Sequence, residues 1–82
     1  MTVPTTKAQR RAILEANVWG ELTKGSDSQT YSRSGPGPIC RHDDAWSLDR
    51  RGWLTDTGSS WEITAEGIAA AQDLIEGRIA SF

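Results

Sequence analysis

The fold is decided by two neighbouring stretches, Leu48-Asp49-Arg50-Arg51-Gly52-Trp53-Leu54 and Trp61-Glu62-Ile63-Thr64-Ala65-Glu66-Gly67-Ile68. A helix that ends at Gly52 would carry two arginines in its last turn, as the helix dipole prefers, and glycine commonly follows a helix end. Residues 53–55 and 60–63 alternate like two half-buried strands, and residues 56–59 suit a tight turn. Thr64 can then cap a second helix. The two stretches predict helix, β-hairpin and helix in that order.

The residues before the hairpin, 39–51, predict the first of these helices. Its inward side would carry Ala45, Leu48 and either Ile39 or Cys40. Its outward side would carry the polar set Arg41, His42, Asp44, Ser47 and Arg51. This polar side is the part of the helix that a partner could reach.

Two further apolar patterns predict helices at the ends of the chain. The first helix would be capped by Thr5 or Thr6 and would run to about Leu22, with apolar residues at spacings of three and four. The last helix would begin at Ala65, with the apolar face Ile68, Ala71, Leu74, Ile75, Ile79 and Phe82. Gly67 costs that helix about 1 kcal/mol relative to alanine. We therefore expect a neighbouring tryptophan, 53 or 61, to need the space beside it.

Residues 24–38 predict an irregular loop, because they are rich in Gly, Ser and Pro and contain one large aromatic residue. The prolines and glycines at 35–38 exclude a regular helix there. Long loops in small domains are commonly functional or disordered, and the sequence leaves both alternatives open.

The length of 82 residues allows one small domain, residues 1–82, with one modest core. Large side chains are scarce, since the chain has four Trp but only one Phe, one Tyr and one Met. The tryptophans are therefore expected to be core material before they are a ligand surface.

The formal charge of −2 is unevenly distributed. Residues 1–38 hold five basic and three acidic side chains, whereas residues 39–82 hold four basic and eight acidic ones. Because DNA affinity depends largely on clustered cations, an acidic second half argues against strong autonomous DNA binding. A local basic patch can still act within an acidic chain.

No pattern predicts catalysis, a metal site or a cofactor. Cys40 and His42 are two residues apart on the predicted helix, so their side chains would point in different directions. These two residues and the neighbouring Asp43 and Asp44 are too close together to surround a zinc ion. The lone cysteine and the lack of a signal peptide or membrane-spanning segment predict a cytoplasmic protein.

The segment 45–71 resembles winged helix-turn-helix domains of bacterial and phage regulators, including MarR-like proteins. The pattern that carries the resemblance is Leu48-x-x-Arg51-Gly52-Trp53-Leu54, a hairpin, and Trp61-x-Ile63-Thr64-x-x-Gly67. The resemblance implies an α+β, mostly helical fold: a winged helix-turn-helix with a two-stranded β-hairpin wing. A helix-turn-helix domain usually carries its second helix where residues 24–38 lie. The short chain suggests an accessory protein of a phage or bacterium.

The resemblance also implies a small regulatory protein that binds double-stranded DNA. The helix that ends at Arg51 would enter the major groove, and the wing at residues 56–60 would touch the backbone or minor groove. The implied DNA contacts are Arg41, Ser47, Arg50 and Arg51 on the helix, and Thr57, Ser59 and Ser60 at the wing. Arg33 in the loop would add a further contact, and the C-terminal helix could form a homodimer.

The alternative is a protein–protein interaction module that keeps the winged fold but does not bind DNA by itself, for example a phage-encoded modulator of a host protein. Such a module would use the acidic face, the wing and the tryptophans against a protein partner. Fold alone does not decide between the two functions.

Overall fold

The chain forms three helices and a five-stranded antiparallel sheet, described for residues 5–32 and 37–78 in a computed structural model. The helices are α1 (Lys7–Trp19), α2 (His42–Arg50) and α3 (Ala65–Ile75). The strands are β1 (Glu21–Lys24), β2 (Gln29–Tyr31), β3 (Pro38–Arg41), β4 (Leu54–Asp56) and β5 (Ser60–Ile63). Their order across the sheet is β3-β2-β1-β5-β4. The predicted α+β class is confirmed.

The first helix has a side-chain cap at its start and a glycine at its end. Thr6 Oγ1 accepts a hydrogen bond from the Gln9 N–H at 3.1 Å, and Gln9 Oε1 accepts one from the Thr6 N–H at 3.0 Å. Gly20 ends α1 in the left-handed conformation, with a φ of 84°. The predicted extension to about Leu22 is wrong, because the chain turns at Gly20 and Leu22 is fully buried in β1.

The segment predicted as an irregular loop, residues 24–38, contributes to three strands instead. Its centre forms β2, which pairs with both β1 and β3. Thr30 is fully buried and Ser32 is 6% exposed, so the inward residues of this region carry hydroxyl groups. The sequence does not predict β2, because strand prediction looks for apolar residues at every second position. In β2 the inward positions carry polar residues instead.

The helix predicted over residues 39–51 begins three residues later. Ile39 and Cys40 are buried in β3, where pairing with β2 extends the backbone, and α2 starts at His42. The Arg41 N–H donates to the Asp44 carboxylate at 3.1 Å and so caps the start of α2. The predicted stop at Gly52 is confirmed, since this glycine has a φ of 82°.

The predicted hairpin is present as β4 and β5, and the first strand is shifted by one residue. Gly58 turns the chain with a φ of 97°. The expectation of a two-stranded wing is wrong, because β5 also pairs with β1 and places Trp61 opposite Leu22. The hairpin is therefore the edge of the five-stranded sheet.

The third helix begins at the predicted cap. Thr64 Oγ1 accepts a hydrogen bond from the Gly67 N–H at 3.0 Å. A Cβ at Gly67 would overlap the carbonyl oxygen of Trp53 and would lie 2.7 Å from Ile63 Cγ1. The close approach expected at Gly67 is thus confirmed, but the neighbour is the main chain of Trp53 rather than an indole ring.

The apolar face predicted for α3 is only partly buried. Ala71 and Leu74 belong to the core, whereas Ile68 and Ile75 are 52% and 58% exposed. Gly67 and Ala70 lie on the buried side, which turns the two isoleucines toward solvent. Ile79 and Phe82 lie outside the described residues. The homodimer through this helix stays a prediction.

The tryptophans divide into two buried and two exposed residues. Trp53 and Trp61 are 8% and 3% exposed and belong to the core, as expected. Trp19 and Trp46 are 42% and 52% exposed, so the expectation of a core position is wrong for these two. Trp46 is exposed because Ala45 and Leu48 occupy the inward side of α2. In the described part of the chain, no helix has the length and apolar character needed to cross a membrane.

Candidate functional site

One side of α2 faces the core and the opposite side faces solvent. Ala45 and Leu48 are fully buried. Asp43, Trp46 and Arg50 are exposed, and their spacing of three and four residues places them together on the opposite side. We call these three residues the outer face of α2.

The C-terminal end of α2 holds two arginines, each stacked on a tryptophan. Arg50 Cζ lies 4.4 Å from the ring centroid of Trp46, and Arg51 Cζ lies 4.8 Å from that of Trp53. Both distances are within the range of cation–π contacts. Stacking keeps the guanidinium charge and restricts the side chain, and the helix dipole favours cations at this end. The two charges are therefore held at defined positions.

The start of α1 lies beside this basic end. Gln9 Nε2 donates to Ser47 Oγ at 2.6 Å, and Ser47 Oγ donates to the carbonyl of Asp44 at 2.6 Å. Ser47, predicted as a DNA contact, is half-buried and is used in this contact between helices. The bond holds the first turn of α1, which includes Lys7 and Arg10, against the second half of α2.

The β4–β5 turn is held by its own hydrogen bonds. The Thr57 N–H donates to the carbonyl of Ser60 at 3.0 Å, and the hydroxyl groups of these residues lie 2.6 Å apart. The Gly58 N–H donates to the Asp56 carboxylate at 2.8 Å. Thr57 and Ser59 are exposed, whereas Ser60 is half-buried. These bonds use the Thr57 hydroxyl and the N–H groups of Thr57 and Gly58, so the turn offers mainly the exposed hydroxyl of Ser59 to a partner.

A cavity of about 180 Å³ lies at the other end of α2. Its lining combines two tryptophans, one histidine, one lysine and two carboxylates: Trp46, Trp61, His42, Lys24, Asp43 and Asp56. Since these residues come from α2, β1, β4 and β5, the cavity forms only in the folded chain. It differs in chemistry from the basic end, because its acids outnumber its lysine.

Lys24 is paired inside this cavity. Its Nζ lies 2.5 Å from Asp56 Oδ1 and 4.3 Å from the ring centroid of Trp61. Hydrogen bonds from the Lys24 ammonium and the Gly58 N–H lower the pKa of Asp56. Because Lys24 is shared with a carboxylate, it contributes less positive charge to the surface than its sequence position suggests.

Two buried nitrogen atoms of cavity-lining residues have no hydrogen-bond partner within residues 5–32 and 37–78. They are Trp61 Nε1 and His42 Nε2. The two rings meet edge to face, with centroids 6.3 Å apart and planes at 74°. Buried polar groups are normally hydrogen-bonded, so these two nitrogens distinguish the cavity from an ordinary surface depression.

Cys40 has the environment of a packing residue. Burial raises the pKa of its thiol to about 11, so the thiol stays protonated at neutral pH. A protonated buried thiol is a poor nucleophile. No cluster of three or more potential metal-binding side chains occurs in the described ranges 5–32 and 37–78.

The structure separates the predicted DNA contacts. Arg50 and Arg51 share the C-terminal end of α2, whereas Arg41 precedes its first residue. Thr57 and Ser59 lie at the β4–β5 turn, and Arg33 lies outside the described residues. Of the predicted DNA contacts, the two cations that lie together are therefore Arg50, in the last turn of α2, and Arg51, at its C-cap.

Sequence reasoning missed the contributions of α1 and β1 to these surfaces. The contact between the first turn of α1 and the second half of α2 comes from the Gln9–Ser47 bond. The sequence predicts a loop from residue 24 onward, yet Lys24 lines the cavity from β1. No local signal could have shown these contacts, because they join residues distant in the chain.

Comparisons with protein-family models, curated proteins and solved structures found no match for this chain. An assignment of function therefore depends on its own residues and topology.

Proposed function

We propose that the chain is a small DNA-binding module with a winged-helix arrangement, in which α2 enters the major groove and the β4–β5 turn touches the backbone. The topology supports this proposal, because α2 directly precedes the hairpin, α3 directly follows it, and β1 pairs with β5. In this arrangement β2 and β3 occupy the chain position where a helix-turn-helix usually has its second helix.

The observation that carries the proposal is the basic end of α2. Arg50 and Arg51 are held on tryptophan rings, and the bond between Gln9 and Ser47 holds the first turn of α1, which carries Lys7 and Arg10, against the second half of α2. Clustered cations neutralise phosphates and release counterions, which is the main source of DNA affinity. We therefore propose that the C-terminal half of α2 and the start of α1 contact DNA phosphates.

The acidic start of α2 restricts how the helix meets DNA. Asp43 and Asp44 stand in its first turn, where they would repel phosphates. A helix that approached DNA by its C-terminal half would keep these carboxylates away from the backbone. Ser59 in the turn can then donate a hydroxyl hydrogen bond to a phosphate oxygen, whereas the Thr57 hydroxyl already donates to the Ser60 carbonyl.

Binding to a short labelled duplex of mixed sequence, measured by fluorescence anisotropy at low and moderate salt, tests the proposal. We expect Arg50→Glu to weaken binding by about tenfold at low salt and to reduce the salt slope by about one. Arg78→Glu is the matched control, since it changes the net charge equally at an arginine paired with Asp73 and Glu76. Equal affinities of wild type and a folded Arg50→Glu variant would overturn the proposal.

A second candidate function is a protein-interaction module. The cavity favours it, because an exposed Trp46 and an exposed carboxylate, Asp43, stand beside two buried nitrogens without partners in the described chain. Exposed tryptophans are common anchors in protein interfaces. DNA binding would leave this end of α2 unexplained.

A further inference from the structure

We infer that the cavity between α2 and the β4–β5 hairpin receives an arginine side chain of a protein partner. This inference rests on the second candidate function and does not depend on DNA binding. Its basis is the combination of an available carboxylate, an exposed indole and two buried nitrogens at one place in the fold.

The charges of the cavity favour a cation. Asp56 is already bonded to Lys24 and to the Gly58 N–H. Asp43 is exposed, and its carboxylate makes no hydrogen bond or ion pair with residues 5–32 or 37–78. A partner cation would therefore pair with Asp43, while Lys24 remains with Asp56.

The aromatic groups favour a guanidinium over an ammonium group. This chain stacks two of its own guanidinium groups on indoles, Arg50 on Trp46 and Arg51 on Trp53. Trp46 also lines the cavity, so it presents indole surface there as well. Guanidinium is planar, weakly hydrated and able to pair with a carboxylate through two hydrogen bonds. An arginine could thus stack on Trp46 and bind Asp43 together.

His42 and Trp61 form the floor of the cavity, where each keeps a buried ring nitrogen without a hydrogen-bond partner in the described ranges. One water molecule takes up about 30 Å³ in the liquid. The cavity of about 180 Å³ therefore has room for a side-chain head group and remaining water.

Titration with N-acetyl-arginine amide, followed by the indole N–H signals in NMR spectra, tests the inference. We expect the signals of Trp46 and Trp61 to move and those of Trp19 and Trp53 to stay. One residue offers little contact area, so we expect a dissociation constant on the order of millimolar. N-acetyl-lysine amide should bind more weakly, and N-acetyl-glutamine amide should leave the signals unchanged.

Asp43→Asn should weaken the arginine titration by about fivefold, in line with one exposed charge pair. Glu66→Gln is the matched control, because Glu66 is also an exposed acid in the first turn of a helix. Stationary Trp46 and Trp61 signals, equal shifts with the glutamine or lysine compound, or an unchanged Asp43→Asn titration would overturn the inference.

The DNA experiment and this titration fail independently. The DNA experiment measures how the loss of Arg50 changes DNA affinity, whereas the titration measures arginine binding at Asp43 and the cavity. An arginine titration without effect would leave the DNA proposal in place, and loss of the DNA proposal would leave the cavity result in place.

Discussion

The two ends of α2 have opposite charge and different neighbours. Its first turn carries Asp43 and Asp44 beside the cavity, whereas its last turn carries arginine beside the basic start of α1. Asp43 and Arg50 are seven residues apart, which corresponds to roughly 10 Å along a helix axis. This separation exceeds the Debye length of about 8 Å at physiological salt. One short helix can therefore present two surfaces that attract different partners.

The opposite charges at the two ends of α2 explain why the net charge of −2 is a poor guide to function. Asp43 and Asp44 stand in the first turn of α2, Asp49 precedes Arg50 in its last turn, and Asp56 is offset by Lys24. The charge that a partner meets depends on which end of α2 it approaches. Substitutions at Gly67, Gln9, Asp43 and Lys24 test the contrast between the two ends, in order of decreasing expected effect.

The largest effect should come from Gly67, which fixes the segment between α2 and the hairpin against α3. We expect Gly67→Ala to destabilise the fold by about 1–3 kcal/mol, because its Cβ would overlap the main chain of Trp53. This cost exceeds the gain of about 1 kcal/mol that alanine brings to a helix. Thermal unfolding measures the difference.

Gly67→Leu should prevent folding and abolish both surfaces of α2. Gln72→Leu is the control, since Gln72 is exposed on the same helix and should tolerate a bulky side chain. A higher melting temperature of Gly67→Ala would contradict the close packing of α3 against Trp53.

The sequence predictions are accurate where a feature depends on residues close together in the chain. Thr64, Gly52 and Gly67 were recognised because capping, helix ending and close packing each require a particular residue type. The hairpin was recognised from its turn residues and alternation. These features depend on neighbours within a few residues.

The missed features depend on pairing between distant residues. β2 has Thr30 as a fully buried residue, and β3 removes Ile39 and Cys40 from the predicted helix by pairing with β2. In the candidate sites, Arg50 and Arg51 could be selected from the sequence. The cavity could not, because Lys24 and Trp61 meet only through the pairing of β1 with β5.

The second largest effect concerns the hydrogen bond between Gln9 and Ser47, which holds the start of α1 against α2. Gln9→Ala removes the donor to Ser47 and the acceptor for the Thr6 N–H, so we expect a loss of about 1–2 kcal/mol in unfolding free energy. DNA affinity should fall as well, since the start of α1 would no longer be held beside α2. Asn17→Ala, at an exposed position of α1, should change neither quantity. Unchanged DNA affinity in Gln9→Ala would remove α1 from the proposed DNA contacts.

The third effect tests the separation of the two ends. Asp43→Asn should strengthen DNA binding by about threefold at low salt and should have little effect at physiological salt, because Asp43 lies beyond one Debye length from Arg50. Glu66→Gln again controls for net charge. If Asp43→Asn changed affinity at physiological salt as much as Arg50→Glu, the start of α2 would itself contact DNA, and the contrast between the ends would be lost.

The smallest effect concerns the pairing of Lys24 with Asp56, which limits how acidic the cavity is. The Lys24 ammonium and the Gly58 N–H hold the pKa of Asp56 below its usual range. Since this pKa is lower in the folded than in the unfolded chain, the contribution of the pair to stability is present above the unfolded value of about 3.9. It is lost as the pH falls through the folded pKa.

Lys24→Met should therefore raise the pKa of Asp56 toward its usual value, which a carboxyl carbon NMR titration measures. Asp27, in the turn between β1 and β2, is the internal control, because a hydrogen bond from Tyr31 lowers its pKa and does not involve Lys24. With the lysine removed, both carboxylates of the cavity become available, so the arginine compound should bind more tightly to Lys24→Met than to wild type. An unchanged Asp56 titration would show that Gly58 alone sets this pKa and that Lys24 does not limit the acidity of the cavity.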